Sequence, residues 1–182
     1  MKSTWEEKQV NKVEQIFQDE NHTCEFNFTK AQWAIDGLHN IYGQAKAGLS
    51  DVDYLVETEK EILLIEYKNA DIAEAAHPER FNIKSDKKIN NLVKKYYDSL
   101  HYLTLTKNGK NKRKIYVCIL EYPGSDGVSQ RYVRNRLADK LPFALQKQIN
   151  SGEKLIDEVH VWTIQDWNQQ YGEFPASKIK IR

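Results

Sequence analysis

The residues of this chain best suited to chemistry gather between Asp51 and Asn69. Asp53 opens one apolar run, and Glu66 and Lys68 close the next, after Ile62-Leu63-Leu64-Ile65. Successive strand side chains point to opposite faces, so Glu66 and Lys68 share a face while Ile65 and Tyr67 point away. Two carboxylates and an ammonium group in this arrangement suit hydrolysis of a phosphodiester. That reaction needs a held divalent ion, charge compensation and an oriented water. Mg²⁺ favours one or two carboxylates plus waters, with a substrate phosphate completing its shell. Asp53 and Glu66 would provide the carboxylates, and the backbone carbonyl of Tyr67 a further ligand. Such an ion polarises a phosphoryl oxygen and acidifies bound water. Lys68 would orient that water or offset the charge developing on phosphorus.

The elements that must position these groups form a hairpin. Residues 52–57 read as a strand, 58–61 as a polar turn and 62–68 as a second strand. A four-residue loop puts Glu57 opposite Ile62 and Leu55 opposite Leu64. It also sets Asp53 opposite Glu66 and Asp51 opposite Lys68. Directly opposed residues share a face, with Cβ atoms ~4.5–5.5 Å apart. A loop of three or five residues would turn Asp53 away from Glu66. Asp53 is therefore the expected principal metal ligand, and Asp51 an accessory that tunes Lys68 or holds a second ion. The alternative is a solvated hairpin end whose Glu–Lys pair has no task. The apolar run 62–65 argues against it, because a strand apolar on both faces is covered on both sides.

Around the hairpin, residues 3 to about 19 read as a helix opened by a Ser3/Glu6 capping box. Residues 24–28 alternate as a half-buried strand. Residues 29–50 hold apolar side chains interrupted by Gly37, Gly43 and Gly48, and read as turns with short strands. A loop over 69–85 precedes a helix from 86 to about 106. In it Ile89, Leu92, Val93, Tyr96, Leu100 and Leu103 form one stripe. A basic turn (107–114), a strand (115–121), a helix over 129–150 broken before Pro142, a strand within 157–164 and a short helix over 165–171 follow. The tail from 178 is either an edge strand or frayed. This order predicts an α/β fold, a mixed central sheet flanked by helices on both faces. The length, 182 residues, suits one domain spanning 1–182.

The Asp53, Glu66-Tyr67-Lys68 pattern resembles the PD-(D/E)XK nuclease superfamily, most closely its resolvase-type and nuclease-related-domain members. The resemblance covers residues 48–69 and the order of surrounding elements. It implies the restriction-endonuclease-like fold, Mg²⁺ or Mn²⁺ as cofactor, and endonuclease or exonuclease action on DNA, less often RNA. The proline of the family name is absent, since Ser50 precedes Asp51 and Val52 precedes Asp53. Some members place a helix glutamate near the metal, which makes Glu14, a heptad after Glu7, an accessory candidate. Two alternatives stay open: a toxin or defence effector of the same fold with a neutralising protein partner, and a non-cleaving binding module. A homodimer is compatible with each.

Other features bound the reading. Net charge is +1, so no global basic surface announces nucleic acid. The cations are clustered, however. Lys87, Lys88, Lys94 and Lys95 on the helix, with Lys110, Lys112, Arg113 and Lys114 in the turn, could track a phosphate backbone. Arg131, Arg134, Arg136 and Lys140 form a second group. The two cysteines, Cys24 and Cys118, make no CxxC pair, so neither a disulfide framework nor a zinc knuckle is expected. Asp36 and His39 read as turn residues, and His77, His101 and His160 lack metal-ligand spacing. No apolar run approaches the ~18 residues that span a bilayer, and the N-terminus lacks a secretory core. The expectation is a cytoplasmic protein.

Overall fold

The computed structural model describes residues 15–70, 82–122, 126–150 and 152–179. The Ser3/Glu6 capping box, Glu7, Glu14 and His77 lie outside them. Strands β1 (Ile16–Gln18), β2 (Cys24–Asn27) and β3 (Trp33–Ile35) precede helix α1 (Leu38–Gln44). Strands β4 (Tyr54–Glu57) and β5 (Glu61–Asn69) lead to α2 (Asp86–Thr106) and β6 (Arg113–Glu121). Helices α3 (Gly127–Lys140) and α4 (Phe143–Gln148), strand β7 (Glu158–Trp162), α5 (Ile164–Gln170) and β8 (Ala176–Lys178) complete the order.

The strands form two sheets. A mixed five-stranded sheet runs β3-β4-β5-β6-β7, and an antiparallel three-stranded sheet runs β1-β2-β8. The β4–β5 hairpin has the register expected from its loop, with Glu57 opposite Ile62 and Leu55 opposite Leu64. β5, β6 and β7 are mutually parallel. On one face of the large sheet, Leu55, Ile62, Leu64, Tyr116 and Cys118 pack against Ile89, Leu92 and Tyr96 of α2 and Val133 and Leu137 of α3. On the other, Val56, Leu63, Ile65, Val117 and Ile119 meet Phe26 of the small sheet, Phe28 just beyond it and Trp167 of α5. The run 62–65 is thus covered on both sides, but the second cover is chiefly a sheet, where helices were expected.

Two local differences have physical causes. Residues 16–18 are not the end of a helix. They pair with β2, Phe17 opposite Phe26, and the Phe17 ring stacks on Tyr54 at 6.0 Å. Helix α1 falls where turns were expected, because Leu38 and Tyr42, one turn apart, bury into the core despite the glycines. β8 overlaps the expected tail only at Lys178, which lies opposite Cys24 of β2, and residues 180–182 lie outside the described residues. Helix α2 matches its sequence stripe, with the Ser85 hydroxyl accepting from the Lys88 N–H at its start. Its exit turn holds Gly109 at φ 65°, where a Cβ would collide with the Ile62 side chain. Among the described residues no helix is long and apolar enough to cross a membrane.

Candidate active site

The β4–β5 ladder stops at Tyr54 opposite Ile65. One residue further out, Asp53 has left the strand, and its Oδ2 accepts the Tyr67 N–H at 2.8 Å. The carboxylate thereby takes over a backbone donor that β4 no longer reaches. The segment leading into β4 is bracketed by α2. Ser50 N–H donates to Asp98 Oδ2 at 2.7 Å, and Val52 N–H donates to Ser99 Oγ at 3.0 Å. Ser99 and Val52 are buried, so the bond between them operates away from competing water, while the Ser50–Asp98 bond is half-buried. Tyr42 of α1 donates to the Asp98 carbonyl at 2.8 Å and ties a third element to the same turn.

This bracket fixes how α2 faces β5. Lys95, one turn before Asp98 and Ser99, projects onto the strand end. Its Nζ lies 3.1 Å from Asp53 Oδ1 and 2.8 and 2.9 Å from the two Glu66 oxygens. Lys68 Nζ lies 2.7 Å from Glu66 Oε1 and 3.4 Å from Asp53 Oδ2. The site is therefore a four-charge cluster of two carboxylates and two ammonium groups, at the carboxyl end of β5. Ligand sites of open α/β sheets commonly lie beyond the carboxyl ends of parallel strands.

Glu66 is 0% exposed, with both lysines covering it. Burial pushes its carboxyl up, to about 7, and the Asp53 charge adds to the rise while Lys68 and Lys95 oppose it. Burial alone would lower Lys68, but the Glu66 and Asp53 carboxylates outweigh that and hold its ammonium above the ordinary lysine range. Lys95 is raised by the same balance. A cleft of about 400 Å³ opens over the cluster. Its wall carries Asp19, Glu20, Asp36, Asp51 and Asp53 against the ammonium groups of Lys68 and Lys95. An acidic cleft of this kind attracts cations and repels bare phosphates.

Among the described residues no group of three His, Cys, Asp or Glu side chains converges as a metal cluster. The donors are two carboxylates. Lys95 demonstrates that one cation can touch both, and a pair of carboxylates plus waters is what Mg²⁺ accepts. Tyr67 turns its N–H toward Asp53. In a strand the carbonyl of a residue faces the same neighbour as its N–H, so the Tyr67 carbonyl looks to the same side. The side chains present fit a hard divalent ion.

The structure brings together Asp53, Glu66, Lys68 and the Tyr67 backbone. It does not bring Asp51 beside Lys68. The Asp51 carboxylate instead accepts the His39 N–H at 2.9 Å, at the start of α1, although both residues line the cleft. Lys94 pairs with Asp98 and reaches Ser50 Oγ at 3.2 Å, supporting the bracket. Lys87 and Lys88 are exposed, two turns before Lys95. Lys112 and Arg113 are placed elsewhere. Lys112 binds Glu57 at 2.7 Å, and Arg113 pairs with Glu61 and Glu158. Arg113 is level with Glu61 in the sheet, five residues before Glu66, which is ~17 Å along a strand. Lys114 is buried and bound to Glu153. His160 stacks on Trp162 at 4.4 Å and pairs with Glu158.

The sequence reading missed the role of Lys95, grouping it with surface lysines. One signal existed: Lys95 is one turn from Leu92 and adjacent to Tyr96, at the edge of the buried stripe. Asp98 and Ser99 were also missed, although they are polar residues inside that stripe. No protein-family model, no curated protein and no solved structure matches this chain.

Proposed function

We propose that this chain is a divalent-metal-dependent nuclease with the restriction-endonuclease-like fold, acting on DNA before RNA in the cytoplasm. One observation carries the reading. Asp53 Oδ1 and both Glu66 oxygens converge on a single cationic position, with Lys68 beside it, at the mouth of an acidic cleft. The resemblance of Asp53, Glu66-Tyr67-Lys68 to the PD-(D/E)XK pattern supports the same assignment. So does the mixed sheet covered on both faces.

Asp53 and Glu66, with the Tyr67 carbonyl, would hold Mg²⁺ or Mn²⁺. A bound ion of this kind supplies Lewis acidity and a water that deprotonates near neutral pH. Burial of Glu66 strengthens its contacts with Lys68 and Lys95. Lys68 is kept charged by both carboxylates and donates to a phosphoryl oxygen as negative charge builds there. Asp53 is locked by the Tyr67 N–H on Oδ2, so Oδ1, which faces Lys95, keeps one direction. The Asp98 and Ser99 bracket holds the Asp53 segment against α2.

A second reading, a non-cleaving module of the same fold, is favoured by the mutual neutralisation of the four charges. The discriminating experiment is incubation with plasmid, linear duplex, single strands and tRNA, each with Mg²⁺, Mn²⁺ or EDTA. Cleavage of any substrate that EDTA abolishes supports the nuclease. Salt-sensitive binding without cleavage in any metal supports the module.

A further inference from the structure

Lys95 occupies the position that a metal ion would have to take. Its ammonium nitrogen contacts both Glu66 oxygens and the one Asp53 oxygen not engaged by the Tyr67 N–H. A magnesium ion held by those oxygens would lie ~2.0–2.1 Å from each, nearly on top of that nitrogen. Two cations cannot share the place. Lys68 is differently situated. It approaches Glu66 Oε1 from the adjoining strand position and Asp53 only through Oδ2, at 3.4 Å. Glu66 is absent from the cleft wall, although it is the central carboxylate, because the ammonium groups cap it.

We propose that Lys95 is a resident counter-cation that stabilises the metal-free site and must be displaced for a divalent ion to load. The inference rests on the metal-dependent reading above and deepens it. In the empty site Lys95 joins Lys68 in offsetting the repulsion between the half-buried Asp53 and the fully buried Glu66, whose two charges one ammonium group would otherwise have to balance. Its side chain is 26% exposed. It reaches the site from a helix rather than from the strand, so it can withdraw into the cleft without disturbing β5. The ion therefore binds in exchange for an ammonium group and more weakly than the carboxylates alone would allow.

The test is Mn²⁺ affinity of the whole protein without nucleic acid, read from the loss of the free-ion paramagnetic resonance signal. Wild type is compared with Lys95→Gln, Lys95→Arg and Lys68→Gln, each checked for folding by circular dichroism. Lys68→Gln removes the same charge from the cluster but leaves Lys95 in place. The expected result is at least tenfold tighter Mn²⁺ binding by Lys95→Gln, with a much smaller gain in Lys68→Gln. Lys95→Arg, which keeps a cation there, should bind as weakly as wild type. Equal affinity in wild type and Lys95→Gln overturns the inference and leaves the metal site standing. So does weaker binding by Lys95→Gln, which would make the lysine a support for the carboxylates. An equal gain in Lys68→Gln would mean that charge count, not occupancy, sets the affinity, and overturns it too. Absence of Mn²⁺ binding in every folded protein, Lys95→Gln included, overturns the metal reading and the inference with it. Should Lys95→Gln fail to fold, Lys95→Met takes its place in the same comparison.

Discussion

Replacing Ser99 by Ala isolates the bracket that places Asp53. Ser99 is completely buried, and its hydroxyl accepts the Val52 N–H at 3.0 Å. Val52 is 1% exposed, so water cannot replace the lost acceptor without opening the site. A buried donor left unsatisfied costs ~1–3 kcal/mol. The alanine removes little volume, so a cavity adds little. The expected loss is about 2 kcal/mol. For a chain of this size each kcal/mol shifts the melting midpoint by about 2–4 °C, giving a fall of about 4–8 °C. Differential scanning calorimetry measures it. Asp98→Ala removes the neighbouring bond to Ser50 on the same segment. The double variant should therefore lose less than the sum of the two, since contacting sites couple by ~0.5–3 kcal/mol. Mn²⁺ affinity should fall with stability, because Val52 adjoins Asp53. A Ser99→Ala protein within 0.5 kcal/mol of wild type, or strict additivity with Asp98→Ala, would refute the reasoning.

Three further outcomes follow from the geometry. Asp53→Asn can still accept the Tyr67 N–H, so it should fold normally yet lose cleavage, whereas Asp51→Asn should only weaken it; plasmid nicking by both variants decides, and a dead Asp51→Asn beside an active Asp53→Asn would reverse the assignment. Gly109→Ala meets both a positive φ and the Ile62 side chain, so chemical denaturation should show a loss of ~1–3 kcal/mol, and an unchanged midpoint would contradict the packing. The pH dependence has a definite sign. The Glu66 carboxyl is raised in the folded protein from 4.5 to about 7, so between those values the folded state binds more protons than the unfolded one, and stability declines as pH rises through that window. Denaturation at pH 5 and pH 8 in EDTA should show this decline, and Glu66→Gln should flatten it; a wild-type protein more stable at pH 8 than at pH 5 would count against the shift.

Much of the site was legible because period-two alternation and loop length are local properties. The turn at 58–61 set the β4–β5 register up to Tyr54, and Asp53, one residue beyond the ladder, reaches the Glu66 end of β5 through its bond from the Tyr67 N–H. Helix α2 was legible for the same reason, through one unbroken stripe. What could not be read depends on packing between distant segments. Lys95 looked like any helix lysine until α2 was docked on β5, and docking depends on Asp98, Ser99 and Tyr42, which are far from the hairpin in sequence. The basic turn looked like a phosphate track, yet Lys112 and Arg113 satisfy Glu57, Glu61 and Glu158 at the other end of the sheet. Asp51 was drawn toward Lys68 by extending a ladder that the chain leaves at Tyr54. The small sheet was hidden because β1 and β8 are three residues each and gain their bonds only by flanking β2.

The most direct test of the central claim separates ion binding from turnover at the paired carboxylates. Wild type, Glu66→Ala and Lys68→Ala are compared for Mn²⁺ binding by calorimetry and for single-turnover cleavage of a labelled DNA substrate. Glu66→Ala should lose both ion binding and cleavage. Lys68→Ala should keep the ion and lose cleavage, since an ammonium group is no ligand. Wild-type cleavage should stop in EDTA and return with added Mn²⁺. Equal Mn²⁺ affinity in wild type and Glu66→Ala, or undiminished cleavage by either variant, would contradict the account.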